Sequence, residues 1–391
     1  MRTLLIVVAA LIAYGSLYPF SFDTREGNLH ELAALFRTAS LSNSRGDIVG
    51  NVLLFVPYGF FAALSSGREG ARPRIAFLPI AFGLMLAPAL QVMQIWIPGR
   101  VPALGDAVLN GFGLLLGYLV GIVSRGRLQT GAAGSTSTVL VPLGLMLLWV
   151  AYRWFPLVPT LDFQNMRGAL KPLLVHPRVN VAAVLLNAVA WLPFFKLFDF
   201  TPLKDLPRLW LAAGAVAITL MQILFVGGRI SVANVLGVSL AIAALPLLRH
   251  PRALPLACAA LLVSLLAAGL QPFGIAAAPN DFRWLPFSGF LEGNMEGNAH
   301  NLVEKLYLYG SAIFLLWRNG TTITGASLAV ALLLALVEGS QIMLVGRTPE
   351  TTDPLLALLI GYAISRTSSK GRAGQDRRHS GSVRRNARVA V

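Results

Sequence analysis

Two stretches of this chain, Ala253–Leu270 and Ala329–Val337, contain no charged residue. A helix of roughly 20 apolar residues crosses a hydrocarbon core of about 30 Å. Inside lipid the backbone must satisfy its own hydrogen bonds, which leaves helices and closed barrels. A barrel would need runs of about ten residues with alternating polarity, and the sequence has none. The fold class read from this is all-α: a polytopic transmembrane helical bundle.

Apolar windows bounded by charge, Pro or Gly clusters fall at 3–20, 47–66, 74–97, 105–124, 138–155, 179–198, 208–227, 231–248, 253–270, 298–317, 322–345 and 352–365, which predicts twelve spans. Composition agrees, because only 13% of the 391 residues are charged where soluble chains carry about 25%.

The formal charge of +15 reads as topology rather than as a nucleic-acid signal. Much of it lies in the tail, at Arg366, Lys370, Arg372, Arg377, Arg378, Arg384, Arg385 and Arg388. Basic residues beside a membrane favour the cytoplasmic side and its anionic lipids. With the short Arg68–Arg74 loop, the tail predicts both termini in the cytoplasm. The acidic residues Asp23, Asp106, Asp162, Asp281 and Asp353 then fall on the outer face. Met1–Phe20 has the charge and apolarity of a signal peptide but a weak cleavage pattern, so it is read as a retained span. Beyond Arg366 the chain is Ser, Gly and Arg with almost nothing apolar, a composition that predicts disorder. Cys258 is the only cysteine, so no intramolecular disulfide forms. The five histidines are scattered without metal-ligand spacing, and no metal or cofactor is expected.

Comparison of the chain with itself shows a recurring unit. The first copy has Tyr18-Pro19-Phe20, Asn51, Pro57, Gln94, Gly99-Arg100, Asp106, Asn110 and Gly113. The second has Phe155-Pro156, Asn187, Pro193, Gln222, Gly228-Arg229, Asn234 and Gly237. The third has Gln271-Pro272-Phe273, Glu304, Tyr307, Glu338, Gln341, Gly346-Arg347 and Asp353. Gln to Arg is six residues in the first and third copies and seven in the second. Three four-helix units are therefore expected, at 1–130, 131–250 and 251–366, with a basic tail at 367–391. An even number of spans per unit makes them parallel repeats.

The first copy resembles the VanZ-like family of bacterial membrane proteins. The resemblance rests on Asn51-Val52-Leu53-Leu54-Phe55-Val56-Pro57-Tyr58-Gly59, on Gln91 through Pro98-Gly99-Arg100, and on Asp106 through Asn110 to Gly113. The family pattern has Glu where Gln91 stands, and the third copy restores it as Glu338-Gly339-Ser340-Gln341. The resemblance implies a protein of the bacterial inner membrane and envelope, associated with resistance to teicoplanin-type glycopeptides.

Candidate ligand-binding residues are Gln94, Arg100, Asp106, Asn110, Glu338, Gln341, Arg347 and Asp353. Asp106, Asn110, Gly113 and Gly117 share one helix face. They line either a polar pocket or a packing seam of small residues. Arg100, Arg229 and Arg347 either converge on an anion, which guanidinium binds bidentately, or pair locally as Arg100–Asp106 and Arg347–Asp353. Glu338, about two turns inside its span, is expected to face a partner or cavity, with Gln341, Glu304 and Lys305 as neighbours. The leading expectation is a non-enzymatic protein that binds membrane lipid and an amphipathic, anionic ligand at its outer face. A membrane enzyme acting on a lipid-linked substrate and a flippase remain as alternatives.

Overall fold

The computed structural model describes residues 2–23, 45–66, 73–98, 100, 102–130, 136–175, 177–292 and 295–367. Gly99, Arg68, Arg72, His176 and the tail from 368 onward lie outside them. Among the described residues the secondary structure is helical, with isolated bridges and no strand. In chain order the helices are α1 (Arg2–Leu17), α2 (Arg45–Ser66), α3 (Pro73–Gln94), α4 (Leu104–Thr130), α5 (Thr136–Arg153), α6 (Phe163–Leu174) and α7 (Val181–Phe198). They continue as α8 (Arg208–Met221), α9 (Val232–Ala243), α10 (Ala253–Leu270), α11 (Ser288–Glu292), α12 (Met295–Arg318), α13 (Ile323–Gln341) and α14 (352–367).

Every apolar window of the sequence contains one of these helices. Five have the length and apolarity to cross a membrane: Phe77–Gln94, Leu104–Val123, Val181–Phe198, Ala253–Leu270 and Ile323–Gln341. Five more are apolar but shorter: Thr3–Leu17, Gly50–Ser66, Val139–Arg153, Arg208–Leu224 and Val232–Ala243. α12 is long but carries Glu304 and Lys305, which removes it from the apolar class. The sequence reading did not separate out α6 and α11. α6 is amphipathic and buries only Ala169.

The ends of several helices are fixed by side chains, which satisfy N–H groups left open in the first turn. Asp162 accepts from Gln164 N, Asn180 from Ala183 N, Ser231 from Asn234 N and Thr322 from Gly325 N.

The described residues fall into two units, those within Met1–Ala132 and Phe290–Ala299, and those within Ala133–Gly289 and His300–Val391. In the first, Ile12, Phe55, Tyr58, Ala62, Ile80, Ala87, Leu90 and Leu114 form the core. The closest packing is between α2 and α4. A Cβ placed on Gly113 would strike the Val52 carbonyl, one on Gly117 the Val56 carbonyl, and one on Gly59 the Leu114 carbonyl. Helices in lipid gain no hydrophobic drive toward each other, and small residues that admit backbone-to-backbone approach take over that role. The Gly113–Gly117–Gly121 row is thus a packing seam.

The second unit has two apolar cores. One gathers Trp149, Trp191, Phe194, Phe195, Tyr307 and Phe314 from α5, α7 and α12. The other joins Leu261, Ile313, Val330, Leu334, Leu356 and Ala357 from α10, α12, α13 and α14.

Candidate functional site

One turn recurs three times at matched positions. After α1, α5 and α10 the chain passes through Tyr18-Pro19, Phe155-Pro156 and Gln271-Pro272, and the following residue has a positive φ: Phe20 at 64°, Leu157 at 66° and Phe273 at 62°. The amide of that residue bonds back to the helix end in each case, from Phe20 to Leu17 O (2.9 Å), Leu157 to Trp154 O (2.7 Å) and Phe273 to Leu270 O (2.9 Å). The strand-like segment beyond then meets the turn after α3, α8 and α13, respectively. Asp23 N donates to Trp96 O (2.8 Å), Thr160 N to Leu224 O (2.8 Å) and Ala276 N to Met343 O (2.9 Å). A reverse bond runs from Val226 N to Val158 O (3.0 Å) and from Val345 N to Gly274 O (2.9 Å). The matching position in the first set is Pro98, which has no N–H to give.

The Gln and Arg of the motif hold this turn. Gln94 Nε2 donates to Ser16 O (2.8 Å), and Gln341 Nε2 donates to Gly269 O (3.0 Å). Arg100 Nη2 donates to Tyr18 O (3.1 Å), while Arg347 donates through Nε to Gln271 O (2.6 Å) and through Nη2 to Ala268 O (2.7 Å). These carbonyls lie at a helix C-terminus, where no intrahelical donor reaches them. A charge-assisted donor is the strong way to satisfy them.

Of the two arrangements open in the sequence, the local pairs Arg100–Asp106 and Arg347–Asp353 are not formed among the described residues, and both arginines bond carbonyls instead. Asp353 is buried and accepts from Lys305 Nζ (2.6 Å) and Tyr309 Oη (2.7 Å) instead. The reason is positional. Lys305 and Tyr309 lie one turn apart on α12 and both reach the first turn of α14, whereas Arg347 precedes that helix and turns toward α10.

Glu338 lies in the last turn of α13, because that helix stops at Gln341 rather than running on to 345. It is not two turns deep. Its Oε2 accepts from Glu350 N (2.8 Å), and Lys305 and Asp353 are within its electrostatic reach. In the first unit the buried Gln91 makes the matching bond, with Oε1 accepting from Ala103 N (3.1 Å). Both bonds span twelve residues, so an amide carbonyl and a carboxylate do the same structural work. Asp106 occupies the first turn of α4, where a carboxylate complements the helix dipole. Asn110, one turn further, is buried. Among the described residues its Oδ1 has no hydrogen-bond partner.

The middle set departs from this scheme. Gln222 Nε2 donates to Thr219 O on its own helix (3.0 Å). The position three before the proline, Ser16 and Gly269 elsewhere, is Arg153. This arginine is buried, donates through Nη2 to Asn187 Oδ1 (2.8 Å) and lies over the rings of Trp149 (4.8 Å) and Trp191 (5.3 Å). Asn187 Nδ2 in turn donates to Asn234 Oδ1 (3.3 Å). Glu304 lies within electrostatic reach of Tyr152, Arg153 and His300. Sequence reading missed this cluster. The available signal was a lone Arg inside Trp149–Phe155, since charge at the end of an apolar span calls for a partner.

Among the described residues no group of three or more His, Cys, Asp or Glu side chains is placed to hold a metal ion. No curated protein and no solved structure matches the chain. Residues 3–125 match the family model described as VanZ/LLP1, and this part of the chain, α1 to α4, is VanZ-like.

Proposed function

We propose that the chain is an integral protein of the bacterial inner membrane, with twelve spans in three parallel four-helix units and both termini in the cytoplasm. Recurrence of the same turn bonds at the same offsets supports the three units. Its proposed role is to bind an amphipathic, anionic ligand at the outer face and so lower sensitivity to teicoplanin-type compounds.

The observation that carries the binding role is the state of Arg100 and Arg347. Each is positioned by main-chain carbonyls, and among the described residues neither pairs with a carboxylate. A guanidinium has five donors. Among the described residues Arg100 spends one and Arg347 spends two, which leaves donors on both for an anion. This reading requires no convergence of the two arginines on one cavity.

A tolerance assay in a bacterial host separates this role from an enzyme built on Glu338. Removing Arg100 and Arg347 as Gln should weaken ligand binding roughly tenfold per arginine and lower tolerance, with unchanged amounts in the membrane. Arg347→Lys, which keeps the charge, should fall in between. Glu338→Gln should keep tolerance, because Gln91 makes the same bond as an amide. Full tolerance in the double arginine variant, with loss in Glu338→Gln, would reverse the assignment.

A further inference from the structure

The middle Gly-Arg turn is one residue longer than the others, and that difference releases its arginine. Gly227 adopts φ +71°, as Gly346 does at +69°, a left-handed conformation that Gly takes without steric cost. Gly228 is then the additional residue before Arg229. Arg100 and Arg347 are tied to X-Pro carbonyls, but the Arg229 side chain makes no hydrogen bond or ion pair among the described residues. It lines an open cavity of about 400 Å³ with Lys171, Arg178, Gly168 and Pro172.

Among the described residues no carboxylate lines this cavity, and three cations share it. A second basic hollow is different. There Lys204 and Arg318 share the lining with Asp199, which also pairs with Lys196 and Arg208. The arrangement around Arg229 is fixed by one main-chain bond and by the side chain of Asn165. Ile230 N donates to Ala169 O (2.9 Å), Asn165 Nδ2 to Phe225 O (3.1 Å) and Gly227 N to Asn165 Oδ1 (3.2 Å). These bonds hold α6, which carries Lys171, against the turn that carries Arg229.

Large apolar side chains are exposed along the same stretch of chain: Leu161, Phe163, Leu174, Val175 and Val179. An amphipathic helix with basic residues and exposed large apolar ones lies at the boundary of head groups and acyl chains. We infer that Lys171, Arg178 and Arg229 form a binding site for the phosphate of an anionic membrane phospholipid, with the exposed apolar side chains of the α6 segment against its acyl region. Arginine and lysine supply charge-assisted donors to phosphate oxygens. The site is separate from Arg100 and Arg347 and stands without the antibiotic role.

The test uses the full-length protein in neutral detergent, titrated with phosphatidylglycerol or phosphatidylcholine and read by native mass spectrometry. Phosphatidylglycerol should be retained more tightly, and less so at high salt. Lys171→Gln, Arg178→Gln and Arg229→Gln should each weaken it roughly fivefold, and all three together about a hundredfold. Arg229→Lys should keep most of the preference. Gel filtration reports whether each variant is folded; if the triple variant is not, the single variants decide. Inorganic phosphate should compete only weakly. Equal retention of the two lipids, unchanged phosphatidylglycerol binding in the folded variants, or full displacement by inorganic phosphate would each overturn the proposal.

Discussion

Gly117→Leu is expected to leave the α2–α4 pair unable to close. A Cβ at this position would meet the backbone of Val56, and backbone, unlike a flexible side chain, cannot turn aside. Overpacking in a core typically costs about 1–3 kcal/mol; a main-chain obstruction within one helix pair should reach at least the top of that range. Helix propensity works in the opposite direction, since Leu is a better helix former than Gly by under about 1 kcal/mol. The clash therefore wins. Gly144 on α5 supplies the control, as nothing lies within 4 Å of an added Cβ there. Denaturation in mixed micelles should show a large loss for Gly117→Leu and little or none for Gly144→Leu. Equal stability of the two variants would remove the seam from the account.

Lys305→Met should destabilise the second unit by about 2 kcal/mol. Breaking a buried pair leaves an uncompensated charge and costs about 3–5 kcal/mol. Here the Lys305 side chain is 36% exposed and Asp353 only 11%, so water recovers part of the loss on the lysine side. The remaining cost falls on Asp353, with Glu338 nearby as a second carboxylate. Adding Asp353→Asn should restore most of the stability, because the neutral amide still accepts from Tyr309. The double variant is read by the same denaturation, and a strictly additive loss would show that the pair is not coupled.

Much of the bundle was legible in the sequence because lipid imposes a simple rule: apolar windows long enough to satisfy their own backbone are helices. The motif spacing was legible too. Its chemistry was not. Gln94, Arg100, Gln341 and Arg347 read as outward polar residues, yet each turns back to a carbonyl at the end of its set's first helix. Sequence shows an arginine's charge but not the unpaired carbonyls of a helix C-terminus that lies 76–82 residues away. The same gap hid the Lys305–Asp353 pair, which joins α12 to α14 across 48 residues. α6 escaped because its apolar residues are interrupted by Arg167 and Lys171, so it has no window of its own.

None of the candidate ligand-binding residues read from the sequence lies in the middle set. Its longer turn frees Arg229, and its first helix buries Arg153 among tryptophans. A one-residue insertion and one substitution, both visible in the sequence, have consequences that appear only when the three turns are compared bond by bond.

The central claim is that the three X-Pro turns lie on one side of the membrane, as parallel units require. Single cysteines at Phe22, Leu161 and Ile275, all exposed, test it directly, with the buried native Cys258 replaced by Ser. A membrane-impermeant maleimide applied to intact cells with a permeable outer layer should label all three. A cysteine at Lys204 should react only after the inner membrane is opened. Labelling of Lys204→Cys in intact cells, or protection of any one of the three turn positions, would contradict the parallel arrangement.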